Sequence, residues 1–142
     1  MAHDIRELTT VTGWKEAFPV MKQLRTHLDE EQYVQLVSEM QKKGYRMFAL
    51  YKNEAPVAVT GVGNLLNLYH GNNMFVYDLV TDEAGRSQGY GEILLSYIHD
   101  LAVELGCANV VLSSGLQRTD AHRFYEDKMG YNRTSYVFVK NV

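Results

Sequence analysis

Short β-prone runs at residues 4–8, 46–51, 57–62, 65–69, 74–81, 109–113 and 135–139 are interspersed with segments whose apolar residues recur at helical spacing. Ala17, Val20, Met21, Leu24 and Leu28 predict a helix over 14–28, in which Pro19 forces a late start or a kink. Asp29 followed by Gln32 reads as a capping box for a second helix, with Tyr33, Leu36, Val37 and Met40 on one face until Gly44 stops it. Leu94, Ile98, Leu101 and Leu105 lie at i, i+4, i+7 and i+11, which predicts a long helix after Gly91 that Gly106 ends. A last helix, 119–129, centres on Phe124 and Tyr125.

The polar stretch 52–56 fits a hairpin turn, and His70-Gly71-Asn72-Asn73 fits a second turn ahead of 74–81, the most continuous β-prone run and the expected central strand. A strand meander followed by β-α-β-α-β predicts a mixed α+β fold, with helices on the sheet faces and the long helix linking two parallel strands. No period repeats and no segment is of low complexity. A chain of 142 residues, 46% of them hydrophobic, is expected to build one domain over 1–142 with a proper core.

Composition removes several function classes. A net charge of -3, with both signs interspersed, gives no basic field for nucleic acid. Apolar runs such as Met74-Phe75-Val76-Tyr77 fall far short of the roughly 20 residues that cross a bilayer. The chain begins without a signal-peptide pattern, and its one cysteine, Cys107, is expected in the core as a small hydrophobe, so the cytoplasm is the expected location. His3, His27, His70, His99 and His122 lack partners at metal-ligand spacing, and no metal site is expected.

The chemistry concentrates in Asp82-Glu83-Ala84-Gly85-Arg86-Ser87-Gln88-Gly89-Tyr90-Gly91, between the central strand and the long helix. Gly89 and Gly91 lack β-carbons, so the amides of Gln88 to Glu92 can approach a phosphate at a helix N-terminus, with Arg86 adding positive charge. A tight strand-to-helix turn would need the same glycines. Leu94 stands where a dinucleotide fingerprint has its third glycine, and no Gly-Lys-Ser/Thr is present, which weakens both common phosphate-loop alternatives.

Arg86, Gly89 and Gly91 match Arg/Gln-x-x-Gly-x-Gly/Ala, and in this the chain resembles the Gcn5-related N-acetyltransferases (GNAT). Ala121, Tyr125 and Gly130-Tyr131 resemble that family's Ala-x-x-x-Tyr-x-x-x-Gly-Phe, with one extra residue before the glycine. The likeness covers the chain from Arg46 onward, and residues 1–45 match as two helices. It implies a mixed, mostly antiparallel sheet of six to seven strands with about four helices, splayed at a cleft where the pantetheine arm of acetyl-coenzyme A pairs with backbone groups of Leu79 and Val80. Arg86, Ser87, Gln88, Gly89, Tyr90, Gly91 and Glu92 would hold its pyrophosphate.

The implied reaction is acetyl transfer to a primary amine of a small molecule or peptide in a ternary complex. By the same resemblance Tyr125 faces the departing sulfur as general acid. An amine with a pKa near ~10 must lose a proton before attack. Asp78 is the one carboxylate in the central strand and a candidate base, with a water chain as the alternative, because relatives carry Glu-Asp where this chain has Tyr77-Asp78. Arg118 departs from the asparagine of many relatives. Ser113 and Ser114 carry no assigned role. Asp29, Glu30 and Glu31 would favour a cationic acceptor if they line its groove. A non-catalytic acyl-coenzyme A sensor is the alternative function, and a homodimer is compatible with the apolar run Tyr136-Val137-Phe138-Val139.

Overall fold

The computed structural model describes residues 3–142. The element order is β1 (Asp4–Leu8), α1 (Val11–Leu24), α2 (Glu30–Lys42), β2 (Tyr45–Lys52), β3 (Ala55–Asn67), β4 (Gly71–Thr81), α3 (Tyr90–Glu104), β5 (Asn109–Leu112) and α4 (Thr119–Arg123). The chain divides after Val111 into two compact units. The first holds a sheet in the order β1-β2-β3-β4-β5, antiparallel through its first four strands. Just ahead of β5, the Ala108 N–H donates to the Asn72 carbonyl near the start of β4 at 2.8 Å, so these strands begin side by side, as the crossover through α3 requires.

Alternation divides the first unit's interior into two layers. Met47, Ala49, Tyr51, Val59 and Val80 face α1 and α2 and pack with Trp14, Ala17, Phe18, Met21, Tyr33 and Val37. Phe48, Leu50, Ala58, Thr60, Val62, Met74, Val76 and Leu79 are buried on the other face, which α3 covers with Leu94, Leu95, Ile98 and Ala102. Leu94, Leu95 and Ile98 are wholly removed from solvent. At about 1.5–3 kcal/mol each, their burial far exceeds the few tenths that surface pairs along the helix could add.

Helix α1 begins at the Thr10 N-cap and passes through Pro19, neither starting late nor stopping there. Losing one hydrogen bond at an interior proline costs about 3 kcal/mol, which burial of Trp14, Ala17, Phe18, Val20 and Met21 outweighs. The helix ends at Leu24 rather than Leu28, because Arg25 leaves helical geometry at φ -104°, ψ 66°. The capping box forms as expected: the Gln32 N–H donates to Asp29 Oδ1 at 2.8 Å, and the Asp29 N–H to Gln32 Oε1 at 3.1 Å. On α2, Tyr33 and Val37 are buried, but Leu36 faces out.

The strand count is five among the described residues, below the expected six to seven, for two reasons. Residues 57–62 and 65–67 are parts of one strand, β3, which runs unbroken through Gly61, Gly63 and Asn64, while Leu68 and Tyr69 lie in the turn that follows. Residues 135–139 form no strand, and Tyr136, Val137, Phe138 and Val139 are all more than two-thirds exposed. β-propensity makes a strand only where a neighbouring ladder takes up the backbone groups, and no described strand does so here. The β2–β3 turn is tighter than expected: Asn53 and Glu54 alone form it, both at positive φ as two-residue hairpins require. Gly71 already belongs to β4. Cys107 is only partly buried, and Asn64 Nδ2 lies 3.4 Å from its Sγ.

In the second unit, α4 widens into a π-helical turn, Phe124–Lys128, whose Met129 N–H reaches back five residues to the Phe124 carbonyl. Gly130, at φ 75°, ends it, and the Tyr131 N–H donates to the Tyr125 carbonyl. No described helix is long and apolar enough to cross a membrane.

The two glycines of β3 are steric requirements. A β-carbon on Gly61 would lie 1.7 Å from the Tyr45 hydroxyl oxygen and 2.2 Å from its ring. We therefore expect Gly61→Ala to destabilise the fold by about 2 kcal/mol or more in denaturant unfolding, and by less than about 1 kcal/mol in a Tyr45→Ala background. Equal costs in both backgrounds would show that the ring does not set the requirement.

Candidate active site

The site is organised by a break in the β3–β4 ladder. Gly61 pairs with Asp78 and Val62 with Val76, which leaves Tyr77 as an extra residue. Such a bulge directs neighbouring side chains to one face, and here Tyr77 and Asp78 both lie on the side of α1 and α2. Gly63 leaves room for Tyr77: a β-carbon there would lie 2.9 Å from that ring. The Tyr77 ring packs between Phe75, at 5.0 Å, and Tyr45, at 5.6 Å.

A bulge also strands backbone groups, which must find other partners. Thr60, fully buried, donates its hydroxyl to the Asp78 carbonyl at 2.7 Å. Arg25 Nη2 donates to the Tyr77 carbonyl at 2.8 Å, and Arg25 Nε to Asp78 Oδ1 at 2.8 Å. The other Asp78 oxygen accepts from the Tyr45 hydroxyl at 2.7 Å. Burial, and then the Asp78 charge, hold the Tyr45 phenol well above its ordinary pKa, so it remains a proton donor in this bond. Both oxygens of the candidate base are therefore engaged by fixed donors, and its side chain is only 13% exposed.

Leu79 and Val80 follow the bulge on β4, and the chain then enters the glycine-rich loop. Three bonds secure the loop's start. The Asp82 N–H donates to the carbonyl of Val57, the residue at the β2–β3 bulge beside Pro56. Gln23 of α1 bridges the loop with its side-chain amide: Nε2 donates to Asp82 Oδ1 and Oε1 accepts from the Glu83 N–H, each at 2.8 Å. Glu83–Gly85 forms a 3-10 turn, and the Tyr90 ring folds over Gly85. Lys52 Nζ lies 6.0 Å from the centre of the same ring.

Beyond the turn, Ser87 and Gly89 both have positive φ, 67° and 81°. Gly89 is the N-cap of α3 and supplies no capping side chain. The first N–H groups of a helix have no intrahelical acceptor, and they carry the positive end of its dipole. A β-carbon on Gly89 would meet no atom within 4 Å, so the backbone here borders open space. Arg86, Ser87, Gln88, Gly89, Tyr90, Gly91 and Glu92 thus form one continuous turn onto an uncapped helix N-terminus, which fits a multiply charged phosphate group.

Tyr125 belongs to the second unit. It is buried in the π-helical turn with its ring 5.4 Å from Phe124 and 5.8 Å from Tyr131. The Arg118 guanidinium is its charged neighbour. Burial pushes the phenol up, and the guanidinium opposes that shift without cancelling it. Gln23, Arg25, Lys52 and Thr60 join this description from the structure alone; each is an isolated polar residue without a local motif.

The chain matches the profile of the acetyltransferase (GNAT) family over residues 10–131. It is 47% identical over 139 residues to the uncharacterized N-acetyltransferase YhdJ of Bacillus subtilis (strain 168), covering 97% of this chain and 98% of that protein. The fold is similar to the crystal structure of a transcriptional regulator from Bacillus halodurans C-125, with a TM-score of 0.83, 25% identity, and coverage of 99% of this chain and 100% of the other. It also resembles AAC(6')-Iy in complex with the bisubstrate analog CoA-S-monomethyl-acetylneamine, with a TM-score of 0.85 at 14% identity, covering 100% and 99%. Sequence and fold agree with the loop and bulge described above: the chain belongs to the acetyltransferase (GNAT) family and is an acetyltransferase.

Proposed function

We propose that the protein transfers an acetyl group from acetyl-coenzyme A to a primary amine of a small molecule or peptide, by direct attack in a ternary complex, as a single domain working in the cytoplasm. The observation that carries this reading is the turn from Arg86 to Gly91, which delivers two left-handed residues and an uncapped α3 N-terminus directly after β4. Ser87 is not a glycine, and holding it at φ 67° costs energy that local structure must offset, a pattern concentrated at ligand-binding turns. The family match across both units supports one working domain. A neighbour of the same fold with a bound coenzyme A analog supports the donor.

In this reading the amides from Gln88 to Glu92 and the Arg86 charge hold the pyrophosphate, and backbone groups of Leu79 and Val80 pair with the pantetheine arm. The amine nitrogen attacks the thioester carbon, the C–S bond breaks, and the sulfur leaves as a thiolate. Tyr125 donates a proton to that thiolate; its raised pKa keeps the phenol protonated at neutral pH, and Arg118 beside it stabilises the phenolate left behind. Water removes the amine proton, because the Asp78 oxygens already accept from Arg25 and Tyr45. That same engagement favours a second reading, an acyl-coenzyme A sensor without turnover.

Calorimetric titration with acetyl-coenzyme A, followed by thiol release over a panel of amines, separates the two. Binding with amine-dependent release is expected; binding without release from any amine would favour the sensor, and absence of binding would overturn both. Gly89→Asp is expected to abolish binding through steric and charge conflict, whereas Tyr125→Phe should bind normally and turn over at least ~10-fold more slowly. Unchanged turnover in Tyr125→Phe would remove its role as acid. Gln23→Ala frees the loop from α1 and should weaken acetyl-coenzyme A binding about 5-fold or more, with two hydrogen bonds lost at about 0.5–1.5 kcal/mol each. Unaltered affinity would mean that the Asp82 bond to Val57 holds the loop without help.

A further inference from the structure

We infer that Arg25 recognises a carboxylate on the acceptor, so that the amine substrate is one that also carries a carboxylate, such as an amino acid or a short peptide. The inference rests on the acetyl-transfer reading and names the acceptor class for that site. Arg25 follows the last turn of α1, where its non-helical backbone turns the side chain toward β4. One edge of the guanidinium, Nε with one Nη2 proton, is fully engaged by Asp78 and the Tyr77 carbonyl. A guanidinium has five N–H donors in a rigid plane, so the opposite edge keeps one proton on each terminal nitrogen. Those protons form the fork that matches a carboxylate in bidentate geometry.

Arg25 is 40% exposed, whereas its partner Asp78 is 13% exposed, so the pair turns its cationic side toward solvent. The bulge that Arg25 grips lies immediately before Leu79 and Val80, which puts the open fork next to the stretch proposed to hold the acyl donor. The half-buried rings of Phe75 and Tyr77, edge to face at 5.0 Å, supply apolar surface on the same strand for the body of an aromatic acceptor. The acidic residues that the sequence offers for a cationic acceptor have other places: Asp29 caps α2, and Glu30 and Glu31 occupy its first turn, where they complement the helix dipole. Because two bonds already hold the guanidinium, little side-chain entropy is lost when it binds an anion.

The test compares matched acceptors with and without the carboxylate: tyrosine against tyramine, and phenylalanine against phenethylamine. Thiol release is expected to show kcat/KM at least ~10-fold higher for the carboxylated member of each pair, the effect of a charge-assisted bond of about 1.5 kcal/mol or more. In Arg25→Gln the preference should collapse through a raised KM for the amino acid; Tm is expected to fall as well, because Asp78 and the Tyr77 carbonyl lose donors, so the quantity compared is the ratio of kcat/KM within each pair and not its absolute size. Calorimetry with the products N-acetyltyrosine and N-acetyltyramine, in the presence of coenzyme A, reads the same site without turnover. Equal kcat/KM within the pairs would overturn the inference while leaving acetyl transfer standing. Arg25-dependent binding of N-acetyltyrosine without thiol release from any amine would uphold the carboxylate site and reject acetyl transfer instead. If Arg25→Gln fails to fold, the wild-type comparison alone decides, and Arg25→Lys, which keeps the charge but not the fork, is expected to retain only part of the preference.

Discussion

The one-residue mismatch between β3 and β4 is the constraint on which the rest of the site depends. A regular ladder would pair with β3 every backbone group that β4 directs toward it. The extra residue at Tyr77 breaks that pairing inside a buried sheet, where an unsatisfied carbonyl costs roughly 1–3 kcal/mol. The break persists because Thr60 and Arg25 supply donors from opposite faces of the sheet. Gly61 and Gly63 leave the space in which the rings of Tyr45 and Tyr77 close over it. The same mismatch sets the surroundings of Asp78: the bulge turns it toward Arg25 and Tyr45, each of which donates to one of its oxygens.

The helical layer thereby positions the site as well as covering the sheet. Near its end, α1 makes two polar connections to β4 and the loop beyond it, through Gln23 to Asp82 and Glu83 and through Arg25 to Tyr77 and Asp78. The glycine-rich loop and the bulge are thus referenced to one helix. The burial of Trp14, Ala17, Phe18, Val20 and Met21 fixes that helix in turn. The interior proline is tolerated for the same reason.

Much of this was legible in the sequence wherever the signal is local. β1, the capping box of α2, the span of α3 with Gly106 past its end, and the Arg86–Gly91 turn all follow from residues a few positions apart, although the buried face of α3 is Leu94, Leu95, Ile98 and Ala102, and Leu105 of the expected face is exposed. The remainder depends on partners distant in the chain. Arg25 is 53 residues from Asp78, and Gln23 is 59 from Asp82, and neither residue type advertises such a contact. Gly63 reads as an interruption between two strands because glycine is a turn residue by composition, and Gly61 within the first run gives no sign of its role; in the structure both are strand residues whose missing side chains are filled by tyrosines from neighbouring strands. The alternating run near the C-terminus shows the converse limit, since strand propensity without a ladder does not make a strand.

The order of strands in the sheet, identical to their order in the chain, bears on how the molecule assembles. Contacts between sequence neighbours close small loops, and small loops close quickly. The β2–β3–β4 meander requires only a two-residue turn and a three-residue turn, whereas β1 must wait for both α1 and α2 to be spanned before it reaches β2. During synthesis the residues of the meander emerge as one contiguous block before α3 is made, so the bulge can form early.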